Sequence, residues 1–162
     1  ESANAGVLFC SASCEASPEA AHAAAAGRYL GASIAARRES TWWVYDVGDG
    51  TFSFTYPSIS GVGATQQALP SRLPGFSLDS GGHTHWDSNY QFSPQDWRLI
   101  TQEARNGPGI TLYLGSGDGS LQYSTPAHAR GFAISRGASF LAPYSNFPGK
   151  VVPGVHLRTT YP

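Results

Sequence analysis

The tripeptide Gly-Asp-Gly occurs twice in this 162-residue chain, at 48–50 and at 117–119. Runs of aromatic and β-branched residues stand on both sides of each copy: TWWVYDV and TFSFTY around the first, ITLYL and LQYST around the second. Glycine and aspartate tolerate the positive φ angles of tight turns, and the flanking residues favour strands. The sequence therefore predicts two β-hairpins, the first with strands at 41–47 and 51–56.

Two helices and a further strand complete the predicted elements. Ser17 is a candidate N-cap for the first helix, and Pro18 and Glu19 suit its first turn. A strand is predicted from about residue 76 into the segment GGHTH. The segment SPQDWRLITQEARNG has the serine-proline start and glycine stop of a second helix.

From Pro126 onward, short apolar pieces lie among glycines and prolines and predict irregular structure. The order of helix, three strands, helix and two strands predicts the α/β (α+β) class, with a mixed β-sheet flanked by helices. Residues 1–16 are predicted to be an N-terminal arm or linker, and residues 17–162 a single domain.

Composition excludes some classes of function. The net charge is −1 and the isoelectric point is about 6.6, so no basic surface for nucleic acid is expected. No apolar run approaches the ~18 residues of a membrane span. The chain has no methionine, which predicts a processed product or part of a longer protein. Cys10 and Cys14 are too few for a zinc site of their own, and they form either a disulfide loop or two free thiols.

The segment HTHWDSNYQFSPQD, residues 83–96, holds the residues best suited to chemistry. Residues i and i+2 of a strand face the same side, so His83 and His85 are predicted to present two imidazoles together. Asp96, in the first turn of the next helix, is a candidate third ligand, because a catalytic zinc has three protein ligands. A second interpretation needs no metal, since Ser93 and Asp96 also fit the two ends of a helix capping box.

A hydrolytic metal site also needs a general base, and glutamate is a common one. Glu103 lies about two helical turns beyond Asp96, and three other glutamates lie in the arm or at the start of the first helix. By elimination Glu39, at the junction of the first helix and the first strand, is the candidate base, with an exposed junction residue as the alternative. Arg37 and Arg38 beside it are predicted to pair with it and lower its pKa.

The pattern H-x-H-x7-S-x-x-D with an upstream glutamate resembles the JAMM (JAB/MPN) metalloprotease motif. His83, His85, Ser93 and Asp96 match it position for position. The segments RESTWWVYDVGDGTFSFTYP, GGHTHW, FSPQDW and TLYLGSGDGSLQYSTP are most similar to the JAMM-like domains at the C-terminal ends of bacterial Rhs and related polymorphic toxin proteins. The resemblance covers about residues 18–126.

This resemblance implies a JAMM/cytidine-deaminase-like architecture and a Zn2+ ion bound by His83, His85 and Asp96. It implies that Glu39 is the general base and then the acid, and that Ser93 donates a hydrogen bond to the oxyanion. The implied reaction is hydrolysis of a peptide or isopeptide amide bond by a zinc metallopeptidase.

The residue after the second histidine departs from the eukaryotic-type motif, which has proline where this chain has Trp86. Trp86, Tyr90 and Phe92 are predicted either to form a rim of the substrate cleft or to pack on the helix and sheet. Trp86 is the candidate substrate-binding residue. The remaining histidines, His128 among them, are predicted to be structural or exposed.

The resemblance also implies a biological setting. It implies the toxin or effector domain of a larger secreted bacterial protein, released from that precursor and delivered into a target cell. A protein or peptide would be its substrate, and an immunity protein its partner. Two alternatives stand beside this one: a JAMM-fold module that binds a partner without catalysis, and a metal-dependent hydrolase of a non-peptide substrate.

Overall fold

The computed structural model describes residues 8–9, 14–61, 72–101, 109–137 and 146–161. The helices are α1 (Pro18–Ala36), α2 (Pro94–Thr101) and α3 (Pro126–Ser135). The strands are β1 (Leu8–Phe9), β2 (Ser40–Gly48), β3 (Thr51–Thr55), β4 (Ser58–Ile59), β5 (Ser77–Thr84), β6 (Gln91–Phe92), β7 (Thr111–Gly115), β8 (Leu121–Ser124), β9 (Phe147–Pro148) and β10 (Lys150–Val151). No described helix has the length and apolar character needed to cross a membrane.

Both predicted hairpins are present, and they form the two halves of one sheet. The strands of the large sheet follow the order β1-β3-β2-β5-β7-β8-β10, and β4 also pairs with β2. Strands β5 and β7 run parallel, whereas the other neighbours are antiparallel. A mixed sheet with three helices confirms the predicted α/β (α+β) class.

Helix α1 begins with the local chemistry that its sequence predicts. The Ser17 side chain accepts a hydrogen bond from the Ala20 amide at 3.1 Å, and Pro18 occupies the first turn. Arg37 ends the helix in the left-handed conformation, with φ of 53°. Gly31 brings the helix against the C-terminal segment, because a Cβ there would lie 2.5 Å from the carbonyl oxygen of Thr160.

Two glycines in β5 accommodate two tryptophans of β2. The register pairs Trp42 with Gly82 and Trp43 with Gly81. A Cβ on Gly82 would lie 2.4 Å from the Trp42 ring, and one on Gly81 would lie 2.9 Å from the Trp43 ring. The indoles therefore lie across β5, and this close approach fixes the register just before the histidines.

Helices cover the two faces of the sheet. Helix α1 packs on one face through a cluster that includes Ala25, Leu30 and Trp42. Helices α2 and α3 pack on the other through a cluster that includes Trp97, Ile100 and Leu114. The sheet is thus the middle layer of three, and residues that alternate along β5 face different helices.

The prediction of irregular structure after Pro126 is wrong. Thr125 caps α3 by accepting a hydrogen bond from the His128 amide at 3.1 Å, and Pro126 occupies the first turn. Ala129 and Ala133 are buried against α2 and the sheet. The two short strands β9 and β10 then pair with β6 and β8.

Parts of the predicted N-terminal arm are hydrogen-bonded to the sheet. Strand β1 pairs with β3, and the backbones of Glu15 and Phe52 exchange hydrogen bonds of 2.9 and 2.8 Å. Cys14 is in a disulfide, while Cys10, the other half of the predicted loop, lies outside the described residues. The C-terminal end of the predicted second helix, at 102–108, also lies outside them.

Candidate metal centre

A capping box holds the start of α2. The Asp96 amide donates to Ser93 Oγ at 3.1 Å, and the Ser93 amide donates to Asp96 Oδ2 at 2.7 Å. These reciprocal bonds confirm the helix-start interpretation of this pair. Asp96 is nevertheless buried, with only 1% of its surface exposed. An acidic capping residue is usually exposed to solvent, so its burial calls for a further explanation.

His83 and His85 lie together at the end of β5, as the strand period predicts. Their ring centroids are 5.0 Å apart. The His85 amide continues the ladder to β7 by donating to the Gly115 carbonyl at 2.9 Å. His85 Nδ1 lies 2.7 Å from the carbonyl oxygen of Asn89, so Nδ1 carries the proton and donates it. This tautomer leaves the lone pair of His85 Nε2 available to a ligand.

The three predicted ligands converge. His83, His85 and Asp96 are all buried, and each offers a ligand atom within 4.8 Å of the others. Asp96 Oδ2 lies 3.5 Å from His83 Nε2. Two imidazoles and one carboxylate are a donor set found around catalytic metal ions, which keep a further position open. The described part of the chain therefore contains a group able to hold a metal ion.

His83 provides the test of whether a metal fits. Neither of its ring nitrogens has a hydrogen-bond partner among the described residues, although the ring is fully buried. The Asp96 carboxylate, 3.5 Å from Nε2, and the Tyr113 backbone both raise its pKa, but neither meets hydrogen-bond geometry with a ring nitrogen. A buried polar group without a partner costs about 1–3 kcal/mol. A metal ion bound through one nitrogen of this imidazole would remove that cost at that nitrogen, so the residues present fit one.

Glu39 reaches the site across the strand pair. The register places Thr41 opposite His83, so two residues further along Glu39 comes opposite His85 on the same face. Glu39 Oε1 lies 3.8 Å from His85 Nε2, and the residue is 9% exposed. Ser60 holds its backbone, because Ser60 Oγ accepts from the Glu39 amide at 2.8 Å. The alternative of an exposed junction residue is therefore wrong.

Burial raises the pKa of Glu39 to about 7, and this overturns the predicted lowering by its arginine neighbours. The positive charge of His83 opposes the rise, while Asp96 and Asp87 add to it. Arg37 is turned away, with its guanidinium 5.0 Å from the centre of the Trp86 ring. Glu39 has no ion pair with an arginine in the described ranges. A carboxyl group with this pKa can both accept and donate a proton near neutral pH.

The charges of the other three groups are coupled. Burial pulls the pKa of His83 down, but the neighbouring Asp96 carboxylate and Glu39 outweigh it, so the net pKa is raised. Burial pushes the pKa of Asp96 up, but His83 and the Ser93 amide hold it below its usual range. Burial, followed by the charge of His83, lowers the pKa of His85.

The three aromatic residues of the loop after His85 divide between the two predicted roles. Phe92 is fully buried and stacks on Phe147 with centroids 5.6 Å apart, so it belongs to the core. Tyr90 is 46% exposed and Trp86 is half-buried. The rim interpretation therefore survives for Trp86 and Tyr90 only.

Two other histidines lie apart from the centre. His128 is in α3 and hydrogen-bonds Ser124 at 2.8 Å, and His156 is exposed. Both agree with the structural or surface roles predicted for them.

Sequence reasoning missed two groups that orient the site, the Asn89 carbonyl and the Ser60 hydroxyl. Asn89 lies in a turn, where its amide donates to Asp87 Oδ1 at 3.2 Å, so the Asp-Ser-Asn sequence was a usable signal for it. Ser60 reaches Glu39 from 21 residues away in the chain, and no local pattern marks it.

Comparisons of the chain with protein-family models, with curated proteins and with solved structures gave no match. The resemblance to JAMM metalloproteases therefore stays an interpretation of the motif.

Proposed function

We propose that this protein is a zinc-dependent hydrolase that cleaves a peptide or isopeptide amide bond. The observation that carries the proposal is the position of Glu39. A buried carboxyl group with a pKa of about 7 lies 3.8 Å from one of three converging ligand residues. A capped helix alone would need neither this glutamate nor the buried histidines.

The chain's own residues divide the work of hydrolysis. His83, His85 and Asp96 would hold zinc, which lowers the pKa of a bound water and polarises a carbonyl group. Glu39 accepts a proton from the attacking water and returns it to the leaving amine. Its pKa of about 7 suits both transfers near neutral pH. Ser93 Oγ accepts a hydrogen bond from the Asp96 amide. The Ser93 hydroxyl group can in turn donate a hydrogen bond to the substrate oxygen as negative charge develops there.

The mouth of the site offers a contact for the substrate. Trp86 directly follows His85 and is half-buried, and the Arg37 guanidinium lies over its ring. A flat aromatic surface held in this way can pack against a peptide chain beside the bond to be cleaved. We assign substrate binding to Trp86 on this basis.

The motif resemblance extends the proposal to the biological setting. We propose that the domain is the effector part of a larger secreted bacterial protein, released and delivered into a target cell. The JAMM-like architecture, the protein or peptide substrate and a neutralising immunity protein belong to the same proposal.

The test compares the unsubstituted protein with Glu39→Gln after removal of metal and reloading with Zn2+. Elemental mass spectrometry is expected to find about one zinc per chain in both, because the three ligands are untouched. Mass spectrometry of a peptide library that includes isopeptide-linked members is expected to find cleavage by the unsubstituted protein. Glu39→Gln is expected to lose at least about 100-fold of this activity.

Glu19→Gln is the matched control, because it removes an exposed carboxylate from α1 by the same substitution. It is expected to retain zinc and full activity. An unsubstituted protein that takes up no zinc contradicts the proposal. Zinc binding without cleavage, together with an unchanged phenotype in Glu39→Gln, would favour the partner-binding module instead.

A further inference from the structure

Three hydroxyl groups meet behind the metal centre, on the face of the sheet that α1 covers. Ser33 Oγ lies 2.6 Å from Thr84 Oγ1 and 3.2 Å from Ser40 Oγ. The Ser40 amide donates to Thr84 Oγ1 at 2.9 Å. All three residues are buried, with at most 5% of their surface exposed. Ser33, Ser40 and Thr84 together are called the hydroxyl cluster.

The hydroxyl cluster joins the segments that carry the functional residues. Thr84 lies between the two histidines of the centre, Ser40 directly follows Glu39, and Ser33 belongs to the end of α1. Because side chains alternate along a strand, the cluster faces α1 while its chain neighbours face the metal centre. The hydroxyl groups can therefore act on the centre through the backbone without occupying it.

The hydrogen bond from the Ser40 amide to the Thr84 hydroxyl group lies next to the position where the strand register brings Glu39 to His85. It connects β2 to β5. Hydrogen bonds keep their strength only over a few tenths of an ångström, so this bond limits how far the two strands can move apart. A general base displaced by about 1 Å can cost about 100-fold in rate.

We propose that Thr84 is a positioning residue, whose hydroxyl group fixes the Glu39 carboxylate relative to His83 and His85 through the backbone of Ser40. The inference rests on the proposed function, because it concerns how the same site keeps its geometry. The residue touches neither substrate nor metal, and its effect passes through Glu39.

The test is Thr84→Val, which keeps the branched shape and removes the hydroxyl group. Hydrogen exchange followed by NMR is expected to show lost protection of the Ser40 amide. The protein is expected to bind Zn2+ with unchanged stoichiometry, because the ligand side chains remain. On a peptide amide that the unsubstituted protein cleaves, kcat is expected to fall about 10- to 100-fold with little change in KM. Thr84→Ser restores the hydroxyl group and is expected to restore both protection and kcat.

Thr55→Val is the matched control. Thr55 Oγ1 accepts a hydrogen bond from the Trp43 amide at 3.0 Å, so this change removes a comparable buried hydrogen bond to strand β2. It is expected to leave kcat within about twofold of the unsubstituted value. In the background of Glu39→Gln, Thr84→Val is expected to lower the residual rate no further, because the two changes remove one function.

Several results would overturn the inference. One is a Thr84→Val protein whose Ser40 amide has lost its protection but whose kcat is unchanged. Another is a loss of kcat in Thr55→Val as large as that in Thr84→Val. A third is a Thr84→Val effect on the rate that is fully additive with that of Glu39→Gln. Where Thr84→Val fails to fold, Thr84→Ala replaces it, because it removes the same hydroxyl group from a smaller side chain, and an unchanged kcat there also contradicts the inference. A protein that binds no zinc and cleaves nothing contradicts the proposed function itself. A zinc-dependent hydrolase whose kcat does not change on substitution of Thr84 contradicts this inference alone.

Discussion

Two histidines, His22 and His83, are completely buried on opposite faces of the same sheet, and their surroundings differ in one decisive respect. His22 has a partner for each ring nitrogen. Neither nitrogen of His83 has a hydrogen-bond partner in the described part of the chain. The comparison separates a histidine used to build the fold from a histidine that a ligand can use.

His22 belongs to a continuous hydrogen-bonded chain. Its Nδ1 accepts from Trp42 Nε1 at 3.1 Å, so the proton is on Nε2, which donates to Ser80 Oγ at 2.7 Å. Ser80 in turn donates to Asp79 Oδ2 at 2.7 Å, and the imidazole stacks on Tyr113 with centroids 3.9 Å apart. Burial lowers the pKa of His22 well below its ordinary value and keeps it neutral. Every polar atom of the ring serves the fold.

His83 has no such chain. Its ring lies 3.5 Å from a buried carboxylate and beside a second imidazole, and Glu39 is close enough to raise its pKa. Native structures rarely leave a buried imidazole without hydrogen bonds. Burial alone therefore does not indicate a ligand-binding histidine, whereas burial combined with ring nitrogens that make no hydrogen bond among the described residues indicates a candidate.

The largest effect is expected from His83→Phe, which keeps a ring and removes both nitrogens. Affinity for Zn2+ is expected to fall by more than about 100-fold, beyond the range seen for loss of a residue that only supports a ligand. Competition with a chromophoric chelator measures it. His22→Phe is the matched control and is expected to bind Zn2+ as the unsubstituted protein does. Equal affinities for all three proteins would remove the distinction between the two histidines.

The second effect concerns stability. His22→Phe keeps the stacking on Tyr113 but leaves the Trp42 indole N–H without its acceptor. The free energy of unfolding is expected to drop by about 2 kcal/mol, with or without zinc. Urea denaturation measures the drop. The same substitution at the exposed His156 is expected to change stability by less than about 0.5 kcal/mol. A His22→Phe protein as stable as the unsubstituted one would mean that the hydrogen-bonded chain contributes nothing.

The smallest effect is the pH dependence of that stability difference. The ordinary pKa of 6.5 applies to His22 in the unfolded chain, and the folded pKa is lower, so the unfolded state binds more protons as the pH falls. The contribution of His22 is therefore complete above pH 6.5 and is lost on acidification. Between pH 6.5 and 5.5 the advantage over His22→Phe is expected to shrink by about 1 kcal/mol.

This measurement needs a chelator, so that zinc binding does not change with pH. Titration of Glu39 and His83, whose raised pKa values act with the opposite sign, is common to both proteins and cancels in the difference. An advantage that stays constant, or that grows on acidification, would contradict a buried neutral His22.

Local features of this fold were predictable because each depends on residues a few positions apart. The capping box joins Ser93 and Asp96, three residues apart, and the Gly-Asp-Gly turn at 48–50 needs only the positive φ angles of its own three residues. Helix α3 carried the same kind of signal in Thr125 and Pro126. The short apolar pieces and the central glycine of this segment nevertheless led to a prediction of irregular structure. The face of α3 that is buried becomes evident only from its packing against α2.

Residue order by itself determined the two hairpins, the starts of the helices and the shared face of His83 and His85, since short-range hydrogen bonds and the strand period require nothing else. Only the tertiary structure decided that Glu39 joins them, because the register of β2 against β5 is set by two tryptophans lying over two glycines. The pKa of Glu39 was likewise out of reach of the sequence. The adjacent arginines suggested a lowered value, whereas burial, which arises only when distant segments pack, raises it to about 7.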